Sequence, residues 1–275
     1  MIYDCFLYYD EEMLLDLRLH TLSDVVDKFV IVESTHTFTG KPKRLNFDLE
    51  KFRQFEDKII YVVFDHPPHQ DAWQNEADTR NAIMNGLVSA EQDDIILVSD
   101  VDEIFDPVII ATIQKNKLCT IIHQNFYNYQ FNLQVFNTDG SPRKCTLPKA
   151  ITYRNLVGFF GGKPEELRNT KRSSIKRNWL KWQWLKWNTA IIAEGGWHFS
   201  WIMTPQRIAE KMSSISHTEY DLPEFNNPEH ITKVIEQAED IWGRERKLQV
   251  QILDIYSFPR YLVEHQALFK PFIRA

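Results

Sequence analysis

The chain has 275 residues, 43% of them hydrophobic and 25% charged, the proportions of an ordinary globular protein with room for one large domain or two small ones. Its net charge of -6, from 32 basic and 38 acidic side chains, excludes nucleic acid as the main partner, because a phosphate backbone demands a basic surface. Three cysteines, Cys5, Cys119 and Cys145, share no metal-ligand spacing and are expected as buried thiols; with no apolar run near about 18 residues and no basic n-region at Met1-Ile2-Tyr3-Asp4, a cytoplasmic setting is the expectation.

Ile2 to Leu7 predicts a short apolar strand. Asp10-Glu11-Glu12 starts a helix in which Met13, Leu14 and Leu17 recur at helical spacing, and Phe29 to Glu33 is a second buried strand that ends in an acid. Strand, helix and strand within about thirty residues form a βαβ unit, whose right-handed crossover brings both carboxyl ends to one edge of the sheet. Glu33 is thereby expected on the ligand edge, where it can accept hydrogen bonds from ribose hydroxyls or a uracil N–H; a surface acid at a turn is the alternative. Residues 34 to 43 are a turn-rich loop and residues 58 to 64 a third strand. A helix from Trp73 to Gly86 carries Glu76, Arg80 and Asn81. Either Glu76 and Arg80 form an ordinary ion pair at i,i+4, or Arg80 and Asn81 face the cleft and Arg80 offers its fork to a phosphate.

The run Ile95-Ile96-Leu97-Val98 has the continuous apolar character of a strand buried on both faces, and it ends abruptly in Asp100-Val101-Asp102-Glu103. Ligands of open α/β sheets bind beyond the carboxyl ends of such strands. Because strand side chains alternate at about 3.3 Å per residue, Asp100 and Asp102 are expected on one side, about 7 Å apart at Cα, converging on a hard cation such as Mg2+ or Mn2+. Asp106-Pro107 then opens a helix reaching toward Ile113.

Cys119 to Phe136, rich in aromatics and amides, is expected as extended strands, and Gly158 to Pro164 as a loop. Trp179, Trp182, Trp184 and Trp187 are interleaved with Lys176, Arg177, Lys181 and Lys186. They are either core packing or a cationic aromatic face for a glycan or an anionic membrane surface. In Glu194-Gly195-Gly196-Trp197-His198-Phe199-Ser200-Trp201 the glycines permit close backbone approach, and His198 is either a structural histidine or a third metal ligand. Thr204-Pro205 and Asn227-Pro228 cap two further helices, the second running through Ile235 and Ile241. With no repeat and no linker, a single domain over residues 1–275 is expected.

The motifs Leu14-Leu15-Asp16-Leu17-Arg18, Asp24-Val25-Val26-Asp27, Phe29-Val30-Ile31-Val32-Glu33-Ser34, Asp100-Val101-Asp102-Glu103-Ile104 and Gly196-Trp197-His198-Phe199-Ser200-Trp201 resemble glycosyltransferase family 17, and the first half as a whole resembles the GT-A superfamily. The resemblance implies an α/β fold of GT-A (Rossmann-like) type, with a mostly parallel central sheet, a nucleotide-sugar-binding half (residues 1–115) and an acceptor-binding half (residues 116–275). It implies inverting, metal-dependent transfer of a sugar, GlcNAc from UDP-GlcNAc first among them, to a glycan or lipid-linked saccharide. Asp100 and Asp102 would hold Mn2+ or Mg2+ on the diphosphate, with His198 as the returning ligand, while Glu33, Arg80 and Asn81 position the nucleotide. Inversion also requires a carboxylate base, for which Asp71, Glu103 and Glu194 are candidates, Glu194 first. A phosphatase or nucleotide-sugar hydrolase using the same acids with Mg2+, and a non-catalytic carbohydrate-binding protein, are the competing classes. Unlike the animal members, the sequence shows no anchor or lumenal signal, so the expected acceptor belongs to the cytoplasmic side, with a peripheral membrane contact through the Trp and Lys cluster.

Overall fold

The structure, a computed structural model, describes residues 1–170, 179–215 and 221–275, and of the side chains of Trp179, Lys181 and Trp182 it describes nothing. Its first hundred residues follow the hydrophobic pattern: β1 (Ile2–Leu7), α1 (Glu12–Leu22), β2 (Lys28–Ser34), β3 (Ile59–Phe64), α2 (Ala72–Asn81) and β4 (Ile95–Asp100). β1 is parallel to β2 on one side and to β4 on the other, and β3 extends the sheet beyond β2. The strand order therefore reverses between β1 and β4, and a crevice opens at such a switch point beyond the carboxyl ends. The sheet continues through β10 (Lys149–Thr152), antiparallel to β4, to β6 (Cys119–Ile122) and β11 (Thr189–Ile192). Only β10 runs against the others in this seven-stranded sheet.

Burial on both faces explains why these strands are apolar throughout. Alternate residues divide between two cores: Phe29, Ile31, Ile95 and Leu97 face the leucines of α1, while Val30, Val32, Ile96 and Val98 face the other side. That second core is closed by Leu156 and Phe160 of α4 (Tyr153–Phe160), Leu167 of α5 (Pro164–Arg168) and Leu185 of α6 (Trp179–Asn188). A six-stranded sheet holds β5 (Glu103–Phe105), β7 (Gln124–Asn128), β8 (Leu133–Phe136), β9 (Lys144–Cys145), β12 (Gly196–Ser200) and β13 (Lys247–Val250). A third core packs α7 (Pro205–Met212) and α8 (Pro228–Gln237) on Leu133 and Tyr129.

Several boundaries differ from expectation. The helix expected over Trp73 to Gly86 ends at Asn81 and tightens into a 3-10 segment, Ala82–Gly86, where a Cβ on Gly86 would come within 2.3 Å of Val30 Cγ1. The helix after Asp106 is one turn, α3 (Pro107–Ile110). α8 stops at Gln237, short of Ile241, because Ala238 adopts the left-handed conformation. Gly158 lies within α4, whose buried Leu156 and Phe160 stand one turn apart; Gly161 caps that helix at φ 61° and Pro164 opens α5.

Candidate active site

A cavity of about 710 Å³ lies at the carboxyl ends of β1, β2 and β4, between the two sheets. Leu7 to Tyr9, His36 to Phe38, α2 and the acids after β4 line it from the first sheet; Phe126, Asn128, His198, Ser200 and Trp201 line it from the second. The chain passes from one sheet to the other at the acids themselves, since β4 ends at Asp100 and β5 begins at Glu103.

A buried ion pair shapes that passage. Arg18 and Asp4 are both fully buried and joined through two hydrogen bonds, Nε to Oδ2 at 2.7 Å and Nη2 to Oδ1 at 2.5 Å. Arg18 Nη1 also donates to the carbonyls of Asp100 at 2.8 Å and Glu103 at 2.9 Å, so one guanidinium fixes both ends of the turn. The role of Arg18 escaped the sequence reading. Its signal is an arginine spaced with Leu14 and Leu22 on an apolar helix face, where a charge persists only with a partner.

Asp100 faces the cavity in a two-arginine clamp. Arg80 Nη1 donates to Oδ1 at 2.6 Å and Arg168 Nη2 to Oδ2 at 2.5 Å. Burial favours the protonated acid, but the two guanidiniums outweigh it and hold the Asp100 carboxyl far below the usual range. Arg80 also binds Glu76 at 2.5 Å and Glu165 at 2.6 Å, so it forms the helical ion pair and faces the cleft at once. Arg168, unforeseen from sequence, binds Glu103 as well, at 2.6 Å.

Asp102 differs. Among the described acids lining the cavity, Glu11 is bound by Lys211, Glu76 and Glu165 by Arg80, Glu103 by Arg168, and Asp100 by both arginines. Asp102 alone of these has no lysine or arginine in ion-pair contact; its neighbour is His198, Nε2 to Oδ2 at 3.6 Å. His198 arrives by register: in the second sheet it pairs with Glu103 of β5 on one side and Phe126 of β7 on the other. Burial disfavours its imidazolium, yet Cys145 and Asp102 beside it raise its pKa well above the ordinary value. Burial, in turn, raises the Cys145 thiol.

Two of these donors, Asp102 and His198, fit a divalent ion. Asp102 Oδ2 and His198 Nε2, 3.6 Å apart, can share an ion about 2.1 Å from each once the imidazole gives up its proton, whereas Asp100, Asp102 and His198 do not all converge within 4.8 Å as the expected three-ligand set would. Glu103, Cys145 and His198 also converge within 4.8 Å, but Glu103 is 1% exposed and already spanned by Arg168.

Other expected residues have structural duties. Glu33 is fully buried and does not line the cavity; its oxygens accept from Lys43 Nζ at 2.5 Å, Asn46 N at 2.7 Å, Phe47 N at 3.0 Å and Tyr61 Oη at 2.8 Å. It therefore holds the loop after β2, and ribose contact does not fall to it. Asn81 accepts from Glu165 N at 3.2 Å, steadying α5 rather than lining the cavity. Of the base candidates, Asp71 caps α2 by accepting from Trp73 N at 2.9 Å, and Glu194 binds Lys144 Nζ at 2.5 Å with its side chain 67% exposed; neither lines the cavity. Glu103 accepts from Arg168 and Asp100 N, and Arg168 lowers its pKa against burial, which makes it a weak proton acceptor.

A nucleotide-scale crevice of this kind, at the switch point of a parallel sheet with clustered acids and arginines, is the ligand site of an α/β fold. Residues 1–157 match the model of glycosyltransferase family 17, and the chain belongs to that family. Over 102 residues it is 38% identical to the beta-1,4-mannosyl-glycoprotein 4-beta-N-acetylglucosaminyltransferase of Homo sapiens and 37% identical to that of Mus musculus, each alignment taking in 33% of this chain. That stretch is 19% of the length of either relative. Among solved structures, the chain is similar to a 4-diphosphocytidyl-2C-methyl-D-erythritol synthase at 12% identity, over 70% of this chain and 88% of that one, with a TM-score of 0.39. It is also similar to the 2-C-methyl-D-erythritol 4-phosphate cytidylyltransferase of Francisella tularensis, at 11% identity over 71% and 91% of the two chains, with a TM-score of 0.34.

Proposed function

We propose that the cavity binds a nucleotide-sugar and that the protein transfers the sugar, with inversion, to a hydroxyl of a glycan or lipid-linked saccharide, on a GT-A framework. The observation that carries this reading is Asp102, the cavity carboxylate without a lysine or arginine, set opposite His198 at the switch point of a family 17 chain. UDP-GlcNAc is the proposed donor, since the relatives named above are N-acetylglucosaminyltransferases. The nucleotide lies against the ends of β1, β2 and β4 in residues 1–115, and the acceptor against the second sheet in residues 116–275.

Asp102 and His198, with Asp100 completing the set on ligand binding, would hold Mn2+ or Mg2+, which when bound neutralises charge gathering on a departing diphosphate. Arg80 and Arg168 hold Asp100 ionised and oriented, so no reorganisation is needed as charge develops nearby.

The test is thermal unfolding with UDP-GlcNAc, UDP-glucose, UDP-galactose or GDP-mannose, each with and without Mn2+. A true donor at a hundredfold excess over its Kd adds about 2.7 kcal/mol, and does so only with metal. No shift with any of the four sinks the reading, and sugar release that ignores acceptor points to hydrolysis instead.

We extend the proposal to a peripheral contact with a membrane on its cytoplasmic side. Its support is α6, where Leu180 is 72% and Trp187 75% exposed, and Trp184 stacks on the exposed Phe159 with centroids 5.4 Å apart. Lys176 and Arg177 of the same cluster lie outside the described residues. Among the described residues no helix is long and apolar enough to cross a membrane.

A further inference from the structure

On the second-sheet side the cavity is lined by three arginines, Arg143, Arg244 and Arg246. Among the described residues one carboxylate serves them. Asp240, fully buried, accepts from Arg244 Nε at 2.9 Å and Nη2 at 2.8 Å, and from Arg246 Nη1 at 3.3 Å. Arg143 has no carboxylate partner among the described residues, and its Nε is buried without a hydrogen-bond acceptor. Among the described residues, three guanidiniums against one carboxylate leave two positive charges facing the cavity. Burial, Arg244 and Arg143 together depress the pKa of Arg246, a sign that the cluster is short of anions. A buried donor left without an acceptor is rare in native proteins and calls for an explanation, of which a ligand is one.

We propose that Arg143, Arg244 and Arg246 bind a phosphate group carried by the acceptor saccharide. The proposal deepens the glycosyltransferase reading and rests on it. Phosphate suits the cluster in charge and shape: a dianion matches the two uncompensated charges, and its tetrahedral oxygens can take N–H donors from several forks, whereas a uronate brings one charge and a planar pair of oxygens. Position assigns the group to the acceptor rather than the donor. The Arg143 guanidinium lies 5.8 Å from the centre of the Phe126 ring, and that ring lies 4.3 Å from His198, so the cluster stands one ring's breadth beyond Asp102 and His198, on the sheet opposite the nucleotide. Aromatic rings adjoin it: Arg244 lies 4.3 Å over Trp242, and Trp242 stands edge-on 5.8 Å from Trp201.

The test uses calorimetric titration of the whole chain, with Mn2+ present throughout, with glucose 1-phosphate, methyl glucoside, glucuronic acid and UDP. In the parent, glucose 1-phosphate binds, and it binds more tightly than glucuronic acid or methyl glucoside. Arg143→Gln, which breaks no ion pair, and Arg244→Gln each weaken glucose 1-phosphate at least tenfold and leave UDP unchanged; circular dichroism checks that each variant is folded. Unaltered glucose 1-phosphate binding in folded Arg143→Gln overturns the proposal. So does an equal loss of UDP, which would make the cluster part of the donor site, and so does glucuronic acid binding as tightly as glucose 1-phosphate. Failure of UDP to bind the parent while glucose 1-phosphate still does would instead strike the glycosyltransferase reading and leave the phosphate site standing.

Discussion

Asp100 and Asp102 are two residues apart and have opposite surroundings. Asp100 is neutralised by two arginines, while Asp102 keeps its charge for a ligand. Asp102→Ala is expected to abolish metal-dependent UDP-sugar binding in calorimetry while shifting stability by about 1 kcal/mol or less, since only the contact with His198 is lost. Arg18→Met should behave in the reverse sense: stripping Asp4 of its buried partner costs about 3–5 kcal/mol in denaturant unfolding and loosens the turn between the acids. Lys149, on β10 and 1% exposed, gives a pH signature. Burial lowers its pKa from 10.5 to about 8, and it donates only to the carbonyls of Thr146 and Leu147. Between those two values the unfolded chain binds more protons than the native one, so this residue makes stability rise with pH, by roughly 3 kcal/mol across that window. Below pH 8 the gain is absent, and Lys149→Met should remove this rising contribution from the stability measured between pH 7 and 10. The acids of the site were legible in sequence because four aliphatics end in three carboxylates within four residues. Arg168 was not: nothing local tells which arginine will close on an acid 65 residues away.

At the level of elements, β12 shows how tightly the second sheet is drawn onto β5. Gly196 has φ 137°, and a Cβ there would stand 2.1 Å from the Ile104 carbonyl. Gly196→Ala is therefore expected to push β12 off β5, displacing His198 and costing several kcal/mol, about 3 by analogy with other overpacked interiors, read by unfolding and by lost metal dependence. Helix α6 offers the contrast. Leu185→Ala, at 3% exposure, should cost about 2–5 kcal/mol, whereas Trp187→Ala, at 75%, should cost about 0.5 kcal/mol or less and act, if the membrane proposal holds, on sedimentation with anionic vesicles. The strands β1, β2 and β4 were readable because both faces are buried and the runs are apolar throughout. Helix α4 was not readable, because Gly158 and the glycine pair Gly161-Gly162 mask a pattern in which only Leu156 and Phe160 are buried. Glu33 looked like a ligand contact because strand-end logic fixes which edge an acid occupies but not whether the following loop folds over it, as residues 43 to 47 do.

Across the whole molecule, the site belongs to neither sheet. The two residues Val101 and Asp102 are the covalent passage from β4 to β5, the Asp102 carbonyl accepts from Phe199 N at 2.8 Å, and Asp106 N donates to Gly195 O at 3.0 Å. The seam where the sheets meet is thus built from the same few residues that would grip a ligand. Such a seam behaves as a clasp: a ligand that fastens Asp102 to His198 ties the turn after β4 to β12, and with it the end of one sheet to the other. Amide hydrogen exchange should register this as a single cooperative event, with residues 103–105 and 196–200 slowing in unison when UDP-GlcNAc and Mn2+ are added, and with Asp102→Ala the two strands should exchange at the rate of the free protein, ligand or not.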